Sequence, residues 1–526
     1  MNAWFARVFL DDMQAALHTR APSSFMHPVR SMTGNLEPPD HASERIASAN
    51  SPEPKRHWPW RVTITVFVVI GLARLLTLWA HEPLLAYANS YDQVRYTACF
   101  NLYPDRPEPF KPTDNSPWAP YSTYRFVDEP EPFCYWSSEL LFQGANAAIY
   151  GVAEALGGNL SHDVRSIGAL RITALLAMLF GFLRAHWQRG EMSAALAHAA
   201  IFAILFSDPG NALYLNGFYA EWTSLLSAYG VVGMSVLWRD DVATRRRVIV
   251  LGLLAFALSF SKIQHVVLPC VLGLTVLLAD RWQQRAASWR AWALIAGGLV
   301  GVLGQVVQLG RGGELMESIR VHNQTHVVLT GLLPWSSDKP ALLREMGVSA
   351  NCLQYVGRRA WQLPGQPQVV CPGVKEFGRG KQLMVLMRHP QLGLSLFLHG
   401  IGRLQPWVAP ALGQVENGRN DDIPSSIPNL GSSLRGAPPL FFSLLALPFL
   451  VLLVLSARRD WRRGRWFEYT VVTCVLMLAT LGVTILGDGL ADTPKQGHLV
   501  GNAAIAFLVV TILLAITRSL WNRRSG

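Results

Sequence analysis

The chain has 526 residues, of which 50% are hydrophobic and only 15% are charged. Soluble proteins carry about 25% charged residues, so this deficit indicates a protein that crosses a membrane several times. A net charge of +11 would suggest a nucleic-acid partner if the protein were soluble. No basic stripe interleaved with aromatic residues is present, and arginines clustered in short cytoplasmic loops explain the charge. We therefore expect no nucleic-acid partner.

Residues 1–56 differ in composition from the rest of the chain. The stretch from Arg20 to Pro54 is rich in Pro, Ser, Asn and Ala and has no apolar periodicity. A segment of this kind cannot bury enough apolar surface to offset the entropy of ordering it. The sequence therefore predicts a disordered cytoplasmic tail over residues 1–56.

Apolar runs of roughly 20 residues, the length that crosses a bilayer, follow this tail. Ten membrane spans are predicted, near residues 61–80, 167–184, 192–207, 217–238, 247–262, 265–280, 291–310, 438–456, 467–486 and 498–518. The expected fold class is an all-α polytopic membrane protein with transmembrane regions over 57–310 and 438–526. The fifth and sixth runs are short and meet at Ser261-Lys-Ile-Gln264, which predicts either two tilted helices or a re-entrant pair.

Basic residues lie on alternate connections between the spans, as they do in cytoplasmic loops. They include Lys55 and Arg56 before the first span, Arg184 and Arg189 after the second, Arg245, Arg246 and Arg247 after the fourth, Arg281 and Arg285 after the sixth, and Arg458 and Arg459 after the eighth. This alternation places both termini in the cytoplasm. It predicts a multi-pass protein of the bacterial inner membrane with two large periplasmic segments, residues 81–166 and 311–437.

The cysteines agree with this division. Cys99 and Cys134 share the first periplasmic segment, and Cys352 and Cys371 share the second. An oxidising compartment permits both pairs to form disulfides, while four unpaired thiols are the alternative because a sequence gives no distances.

The two periplasmic segments also contain helical patterns. They lie near residues 137–157, 313–333, 338–347 and 383–405. The first of these patterns is amphipathic and is typical of a helix along the membrane interface.

Charged and polar residues interrupt the apolar pattern where spans reach the periplasmic side. They are Asp92, Arg95, Glu221, Lys262, Gln264, Asp488, Asp492, Lys495 and His498. Charge at membrane depth is costly and is usually retained because it has a function. The predicted topology brings all of these residues to one face of the bilayer, where they are candidates for a single polar site.

The residue types indicate chemistry on a phosphate-linked substrate. A carboxylate such as Asp92 or Glu221 acts as a general base toward a hydroxyl or holds a divalent cation. Cations such as Arg95, Lys262 and Lys495 stabilise the charge of a phosphate leaving group. A lipid-linked phosphosugar presents its phosphate at this depth, so transfer of a glycosyl group from a polyprenyl-phosphate donor fits these residues.

The histidines carry less information. His265, His322 and His399 are better explained as ordinary polar contacts than as metal ligands. The chain has no His-Glu-x-x-His motif, and the glycine-rich stretch Gly310-Arg-Gly-Gly313 lacks the Lys-Ser/Thr ending of a phosphate-binding loop. The sequence therefore predicts no nucleotide site, and it leaves metal dependence open.

Several short stretches resemble the GT-C superfamily of membrane glycosyltransferases, in particular a bacterial branch similar to glycan-biosynthesis hexose transferases. They are Asn89-Ser-Tyr-Asp-Gln-Val-Arg95, Asn216-Gly-Phe-Tyr-Ala-Glu221, Ser261-Lys-Ile-Gln264, Asn323 with Leu333-Pro-Trp-Ser-Ser-Asp338, Leu342-Leu-Arg-Glu-Met-Gly347, Arg388-His-Pro390 and Gly487-Asp-Gly489 with Lys495. The resemblance covers roughly residues 60–518. It implies a polyprenyl-phosphate-sugar donor, inverting transfer and Asp92 as the catalytic base. Gln93 follows Asp92 where the family pattern often has a second acid, so the resemblance does not decide whether a divalent cation takes part.

The resulting hypothesis assigns Asp92 and Glu221 to catalysis. Arg95, Lys262, Gln264, Asp488, Lys495 and His498 are assigned to substrate binding. The expected partners are the lipid-linked donor, a glycan or lipid-linked acceptor, and membrane lipids. No cofactor is predicted apart from the divalent cation, which stays an open alternative.

Other functions remain as alternatives at this point. A transporter or flippase of a lipid-linked saccharide would show inverted repeats and charges near the bilayer midplane. An O-antigen polymerase or ligase would depend on the arginines of the second periplasmic segment, which are Arg320, Arg344, Arg358 and Arg359. A structural membrane scaffold would need none of these residues for chemistry.

Overall fold

A computed structural model describes most of the chain after the tail. The described residues are 58–88, 90–105, 120–127, 134–237, 243–285, 288–311, 313–405, 413–415, 423, 427–457 and 464–525. The predicted tail, residues 1–56, lies outside them, and so does Asn89 of the Asp92 motif. All residues assigned to the candidate site lie inside them.

The described residues are mainly helical. The α-helices are α1 (Trp58–Trp79), α2 (Ser90–Thr97), α3 (Leu140–Ala155), α4 (Arg165–Gln188), α5 (Met192–Ile201), α6 (Pro209–Ala212), α7 (Ala220–Val232), α8 (Arg245–Ser261), α9 (Leu268–Trp282), α10 (Trp289–Gly310), α11 (Glu314–His326), α12 (Leu333–Trp335), α13 (Lys339–Met346), α14 (Pro367–Val370), α15 (Arg379–Arg388), α16 (Pro390–Arg403), α17 (Leu430–Arg435), α18 (Pro438–Ala457), α19 (Arg465–Asp488), α20 (Thr493–Gln496) and α21 (His498–Ser525). Turns of π-helix extend α5, α7 and α11 over Phe202–Phe206, Gly233–Leu237 and Val327–Leu332. Short 3₁₀ turns occupy Ala98–Phe100, Ile263–His265, Ala350–Tyr355 and Ala360–Gln362.

Each of the ten predicted spans contains a helix, but not all of these helices are long and apolar enough to cross a bilayer. Seven helices meet that requirement among the described residues: Pro59–Trp79, Arg165–Gln188, Ile263–Trp282, Trp289–Gly310, Pro438–Ala457, Arg465–Asp488 and His498–Ala515. The segment Met192–Phe206 is apolar but shorter. A multi-pass helical membrane protein is therefore confirmed, whereas the number ten and the orientation of the termini stay predictions.

Five short strands modify the all-α prediction. Strands β2 (Leu102–Pro104), β3 (Thr123–Phe126) and β4 (His162–Asp163) form an antiparallel sheet in the order β2-β3-β4. Strands β1 (Leu85–Ala88) and β5 (Gly413–Val415) form a second antiparallel pair. This pair joins the first and second non-membrane segments, and its paired residues, such as Leu85 and Val415, are more than 300 positions apart in the sequence. Pairing between strands so far apart in the chain cannot be predicted from local sequence patterns.

Two helical segments, α8 and Ile263–Trp282, lie on either side of Lys262, and the second is long and apolar enough to cross a bilayer. At one end, Gln264 and Asp488 line the same cavity. At the other, Arg290 joins Asp280, near the end of α9, to Glu468, near the start of α19. These contacts at the two ends show that α9 runs antiparallel to α19, whose 24 residues give it a length of about 36 Å. α9 therefore extends from the cavity end to the Arg290 cluster, and the choice between two tilted helices and a re-entrant pair stays a prediction.

Small residues permit close packing between α8 and α10. Gly297 and Gly301 are spaced as in a Gly-x-x-x-Gly motif and lie against Gly252 and Ser259 of α8. A Cβ atom at either glycine would overlap atoms of α8, so the two helices approach closely, as small residues allow in membrane bundles. This contact fixes the end of α8 that carries Lys262.

Both cysteine pairs predicted from the sequence form disulfides. Cys99 and Cys134 have a Cα–Cα distance of 4.5 Å, and Cys352 and Cys371 have one of 5.2 Å. Both distances lie in the range that a disulfide spans. The first bond ties the end of the segment that carries Asp92 to the residues that precede α3.

The helical patterns of the non-membrane segments correspond to helices. The stretch 137–157 contains α3, the stretch 338–347 contains α13, and the stretch 383–405 contains parts of α15 and α16. The stretch 313–333 contains α11 and its π-helical extension. These helices bring residues of the second segment over the end of the membrane bundle.

Candidate functional site

A cavity of about 500 Å³ lies at the end of the bundle where α7 begins and α8 and α19 end. Its charged lining residues are Asp92, Arg95, Glu221, Lys262, Arg359, Asp488, Asp492 and Lys495. These residues come from α2, the start of α7, the α8–α9 connection, the second non-membrane segment and the connection between α19 and α21. The convergence predicted from separate connections is therefore present in the structure.

Asp92 is held between two cations. Its side chain accepts hydrogen bonds from Arg95 Nη2 at Oδ1 and from Lys495 Nζ at Oδ2, each at 2.5 Å. Arg95 reaches Asp92 because the two residues are three apart on α2, a spacing that places them on one helix face. Burial alone would raise the pKa of Asp92, but the charges of Lys495 and Arg95 outweigh it and hold that pKa well below its usual value. The carboxylate is therefore charged at neutral pH.

Lys495 is the most enclosed cation of the cavity. Its side chain is 7% exposed, and its Nζ lies 5.1 Å from the ring centroid of Tyr219. Burial would lower the pKa of Lys495, but the carboxylates of Asp92, Glu221 and Asp492 outweigh it and raise that pKa above its usual value. Lys495 is therefore a permanent positive charge in the cavity wall.

A second ion pair lies beside the first. Lys262 Nζ donates to Glu221 Oε1 at 2.7 Å and to Gln496 Oε1 at 3.1 Å. Glu221 is in the first turn of α7, where the positive end of the helix dipole favours a carboxylate. Lys262 has extended backbone between α8 and the following 3₁₀ turn, so its side chain leaves the α8 helix path and reaches the cavity.

Asp488 and Asp492 complete the set of carboxyls. Asp488 Oδ1 contacts His326 Nδ1 at 2.5 Å, and both side chains are almost fully buried. Asp492 precedes α20 and makes no capping hydrogen bond with its side chain. Burial, with help from the neighbouring Asp488 and Asp92 carboxylates and against the charge of Lys495, raises the pKa of Asp492 to about 7.

A fully buried ion pair positions the residues that precede α7. Arg171 donates to Glu139 Oε1 and to the backbone carbonyls of Tyr214, Leu215 and Gly217. The other oxygen of Glu139 accepts from Thr223 on α7. Hydrogen bonds from Arg171 to its main-chain carbonyls therefore hold the turn that presents Tyr219 and Glu221 to the cavity.

Seven of the eight predicted site residues line the cavity. They are Asp92, Arg95, Glu221, Lys262, Gln264, Asp488 and Lys495. His498 is not among the lining residues: its ring is 3% exposed, contacts the Lys495 carbonyl through Nδ1 at 3.1 Å and lies near Tyr214. In this position the His498 ring contacts the main chain of the turn that holds Lys495, and its role in substrate binding stays a prediction.

The sequence did not single out several other lining residues. His326 and Trp361 come from the second non-membrane segment, and Tyr96 and Tyr135 come from the first. Burial raises the pKa of Tyr135 to about 12, and its hydroxyl donates to Gln305 at 3.2 Å. Trp361 is 52% exposed, and the guanidinium carbon of Arg359 lies 5.4 Å from its ring centroid. The spacing of His322 and His326, which places both on one face of α11, was the sequence feature that could have identified this side of the cavity.

Among the described residues, no group of three or more His, Cys, Asp or Glu side chains is placed to hold a metal ion. The cavity carboxylates instead face cationic side chains, with Lys495 and Arg95 on Asp92 and Lys262 on Glu221. The divalent cation left open by the sequence therefore has no candidate cluster in the described part of the chain.

Fold and cavity define a multi-pass integral membrane protein with a charged cavity at one end of its helix bundle. The chain belongs to the YfdI N-terminal transmembrane domain family, whose model matches residues 54–526. No curated protein matches the chain. Family membership establishes the transmembrane domain, whereas the glycosyltransferase activity implied by the GT-C resemblance stays a prediction.

Proposed function

We propose that this protein is an integral membrane glycosyltransferase that moves a sugar from a polyprenyl-phosphate donor to a glycan or lipid-linked acceptor on the periplasmic side of the inner membrane. The observation that carries this proposal is the charged Asp92 carboxylate, held by Arg95 and Lys495 in a cavity of about 500 Å³ at the end of the spans. A base and phosphate-binding cations are the two elements that such a transfer requires.

The cations of the cavity suit the phosphate of the donor. Lys495, Lys262 and Arg95 lie around Asp92 and Glu221, and Arg359 lies above Trp361 without a carboxylate partner among the described residues. When the sugar leaves, the phosphate gains negative charge, and fixed cations in a partly dry cavity stabilise that charge more strongly than water does.

A second, apolar cavity supports a donor with a lipid chain. It has a volume of about 400 Å³ and shares Tyr135, Ile263, Gln264, Ile319 and Asn323 with the charged cavity. Val267 and Leu309, which also line it, are exposed side chains on helices apolar enough to cross a membrane. An apolar chain that enters from the bilayer between these helices would place its phosphate next to the cations.

Donor binding would also prepare Asp92 for catalysis. In the structure, Lys495 holds Asp92 by a charge-assisted hydrogen bond, so the carboxylate is a weak base. A donor phosphate competes for the same ammonium group, since phosphate oxygens are strong acceptors. As Lys495 turns to the phosphate, the pKa of Asp92 rises, and the carboxylate becomes able to take the proton of the acceptor hydroxyl that attacks the sugar.

The test compares two aspartates of the same segment. Asp92→Asn keeps the size of the side chain but removes the base, so transfer should fall about 10²- to 10⁴-fold, the usual contribution of general acid–base catalysis. Asp105→Asn is the matched control, because Asp105 is half-exposed and lies 3.7 Å from Arg125 outside the cavity. Membrane expression is verified for both variants, and surface-glycan composition is compared with that of the parent. An unchanged glycan in the Asp92→Asn strain would overturn the assignment.

A second candidate, an O-antigen polymerase or ligase, is favoured by one observation: Arg359 of the second non-membrane segment lines the same cavity. Arg358 is the matched control, because it lies over Tyr355 at 5.8 Å and is absent from the lining. Loss of the surface glycan with Arg359→Ala, combined with a normal glycan in the Asp92→Asn strain, would favour the polymerase or ligase. Loss with both Asp92→Asn and Arg359→Ala, and not with Arg358→Ala, agrees with the glycosyltransferase.

A further inference from the structure

The cavity carboxyls differ in how they are paired. Asp92 is bonded to Arg95 and Lys495, Glu221 to Lys262, and Asp488 to His326. Within the described part of the chain, Asp492 makes no hydrogen bond or ion pair through its carboxyl group, although it lines the same cavity. Asp492 is therefore the carboxyl that is available to a bound molecule without breaking an existing contact.

The charge of the cavity determines the form in which Asp492 meets an anion. Four cationic side chains line the cavity, and four carboxyls balance them when all are ionised. The donor in the proposed function is a phosphodiester with one negative charge, so its arrival leaves an excess of one negative charge in a partly buried site. Protonation of one carboxyl removes that excess, and an unpaired carboxyl takes a proton at lower cost than one that is held by a cation.

We propose that Asp492 binds the donor phosphate as a neutral carboxylic acid, so that donor binding takes up one proton from solution. The carboxylate gains the proton, and its O–H then donates a hydrogen bond to a non-bridging phosphate oxygen. No covalent bond of the donor is broken in this step. This inference rests on the proposed function, because it takes the phosphate of the polyprenyl donor as the ligand of the cavity.

The surroundings of Asp492 agree with this assignment. The groups that face it are Lys495 on α20, Asp488 at the end of α19, Asp92 on α2 and Lys262 between α8 and α9. Tyr214 and Tyr219, which precede α7, also interact with it. In the empty cavity these groups and burial place the pKa of Asp492 at about 7, so the group changes charge near neutral pH. An added phosphate raises that pKa further, whereas Asp92 stays charged.

The test measures binding of methyl farnesyl phosphate to the full-length protein in detergent. This phosphodiester keeps one negative charge between about pH 6 and about pH 9, so the probe does not titrate. For the wild-type protein, the association constant should fall roughly tenfold per pH unit above about pH 7, as expected when binding requires one proton. Asp492→Asn mimics the neutral acid and should bind with an affinity that is independent of pH. Asp105→Asn, outside the cavity, should keep the wild-type slope.

A calorimetric measurement on the wild-type protein alone provides an independent check. Binding enthalpies in two buffers of different ionisation enthalpy should show uptake of close to one proton near pH 8, by the same linkage. Binding of the probe with no pH dependence and no proton uptake would overturn the role of Asp492 and leave the proposed function standing. Absence of probe binding at every pH would overturn both. A wild-type slope retained by Asp492→Asn would assign the proton to another group and overturn this inference.

Discussion

The two ends of the helix bundle both contain buried charges, but the charges are arranged differently. At the cavity end, Asp92, Glu221 and Lys495 border an open space. At the opposite end, Arg290 binds both Asp280 and Glu468, and all three side chains are at most 5% exposed. Arg285 adds a longer contact of 3.5 Å to Glu468. None of these four residues lines the charged cavity or the apolar cavity beside it.

The comparison shows that charge at membrane depth is not by itself a sign of a binding site. The Arg290 cluster joins α9, α10 and α19, and its carboxylates and guanidinium group satisfy one another. The cavity cluster also contains ion pairs, but it borders an open space, includes the exposed Trp361, and contains the carboxyl of Asp492, which has no bonded partner among the described residues. These differences predict a structural role for one cluster and a chemical role for the other, and three substitutions test this prediction.

The largest expected effect is on stability, at the end that contains the Arg290 cluster. Arg290→Met removes the contacts of 2.9 Å to Asp280 and 3.0 Å to Glu468 while both carboxylates stay buried, and breaking a buried pair in this way costs about 3–5 kcal/mol. The midpoint of thermal denaturation in detergent should fall strongly. Arg281→Met, at an exposed position in the last turn of α9 next to Asp280, is the control and should leave the midpoint almost unchanged. Equal midpoints for the two variants would refute a structural role for the Arg290 cluster.

The next effect is on chemistry, at the cavity end. Lys495→Met removes the cation that holds Asp92, and loss of one charge-stabilising group lowers the transfer rate about 10²- to 10³-fold. The thermal midpoint should fall less than in Arg290→Met, because Arg95 still pairs with Asp92. The rate is measured as release of polyprenyl phosphate by purified protein. A normal transfer rate combined with a strongly lowered thermal midpoint would indicate that the cavity cluster is structural and would contradict its predicted chemical role.

The smallest effect is expected for an exposed pair. Glu317 contacts Arg320 at 2.7 Å and Lys375 at 2.9 Å on the surface of the second non-membrane segment. Hydrogen bonds from these two cations lower the pKa of Glu317 to about 2, yet water screens such pairs, so Glu317→Gln should change stability by less than about 1 kcal/mol. A loss of stability comparable to that of Arg290→Met would show that burial does not determine how much an ion pair contributes to stability.

Much of the membrane core could be predicted from the sequence, because long apolar runs have few alternatives in a bilayer. The same runs, with arginines on alternate connections, placed Asp92, Glu221, Lys262 and Lys495 at one end, where they meet. The positions of His326 and Arg359 could not be predicted in this way. Both belong to the second non-membrane segment, which meets the bundle through long-range contacts such as that between His326 and Asp488, 162 positions apart.

His498 and Arg290 show what spacing in the sequence does not reveal. His498 follows Lys495 by three residues, so the sequence grouped it with the site, but its ring contacts the Lys495 carbonyl and is absent from the cavity lining. Arg290 lies a few residues after Arg281 and Arg285, and nothing local distinguishes it from exposed Arg281. Its two carboxylate partners lie 10 and 178 positions away in the sequence, so only the fold identifies it.

The wall shared by the charged and apolar cavities has a consequence for inhibitor chemistry. Tyr135, Ile263 and Gln264 line both chambers, so the two chambers are adjacent. We expect a phosphonate joined to a short branched alkyl chain to place its anion beside Lys495 and its chain in the apolar chamber. Because such a compound carries no sugar to transfer, it would remain bound as an unreactive imitation of the proposed donor and would block both chambers.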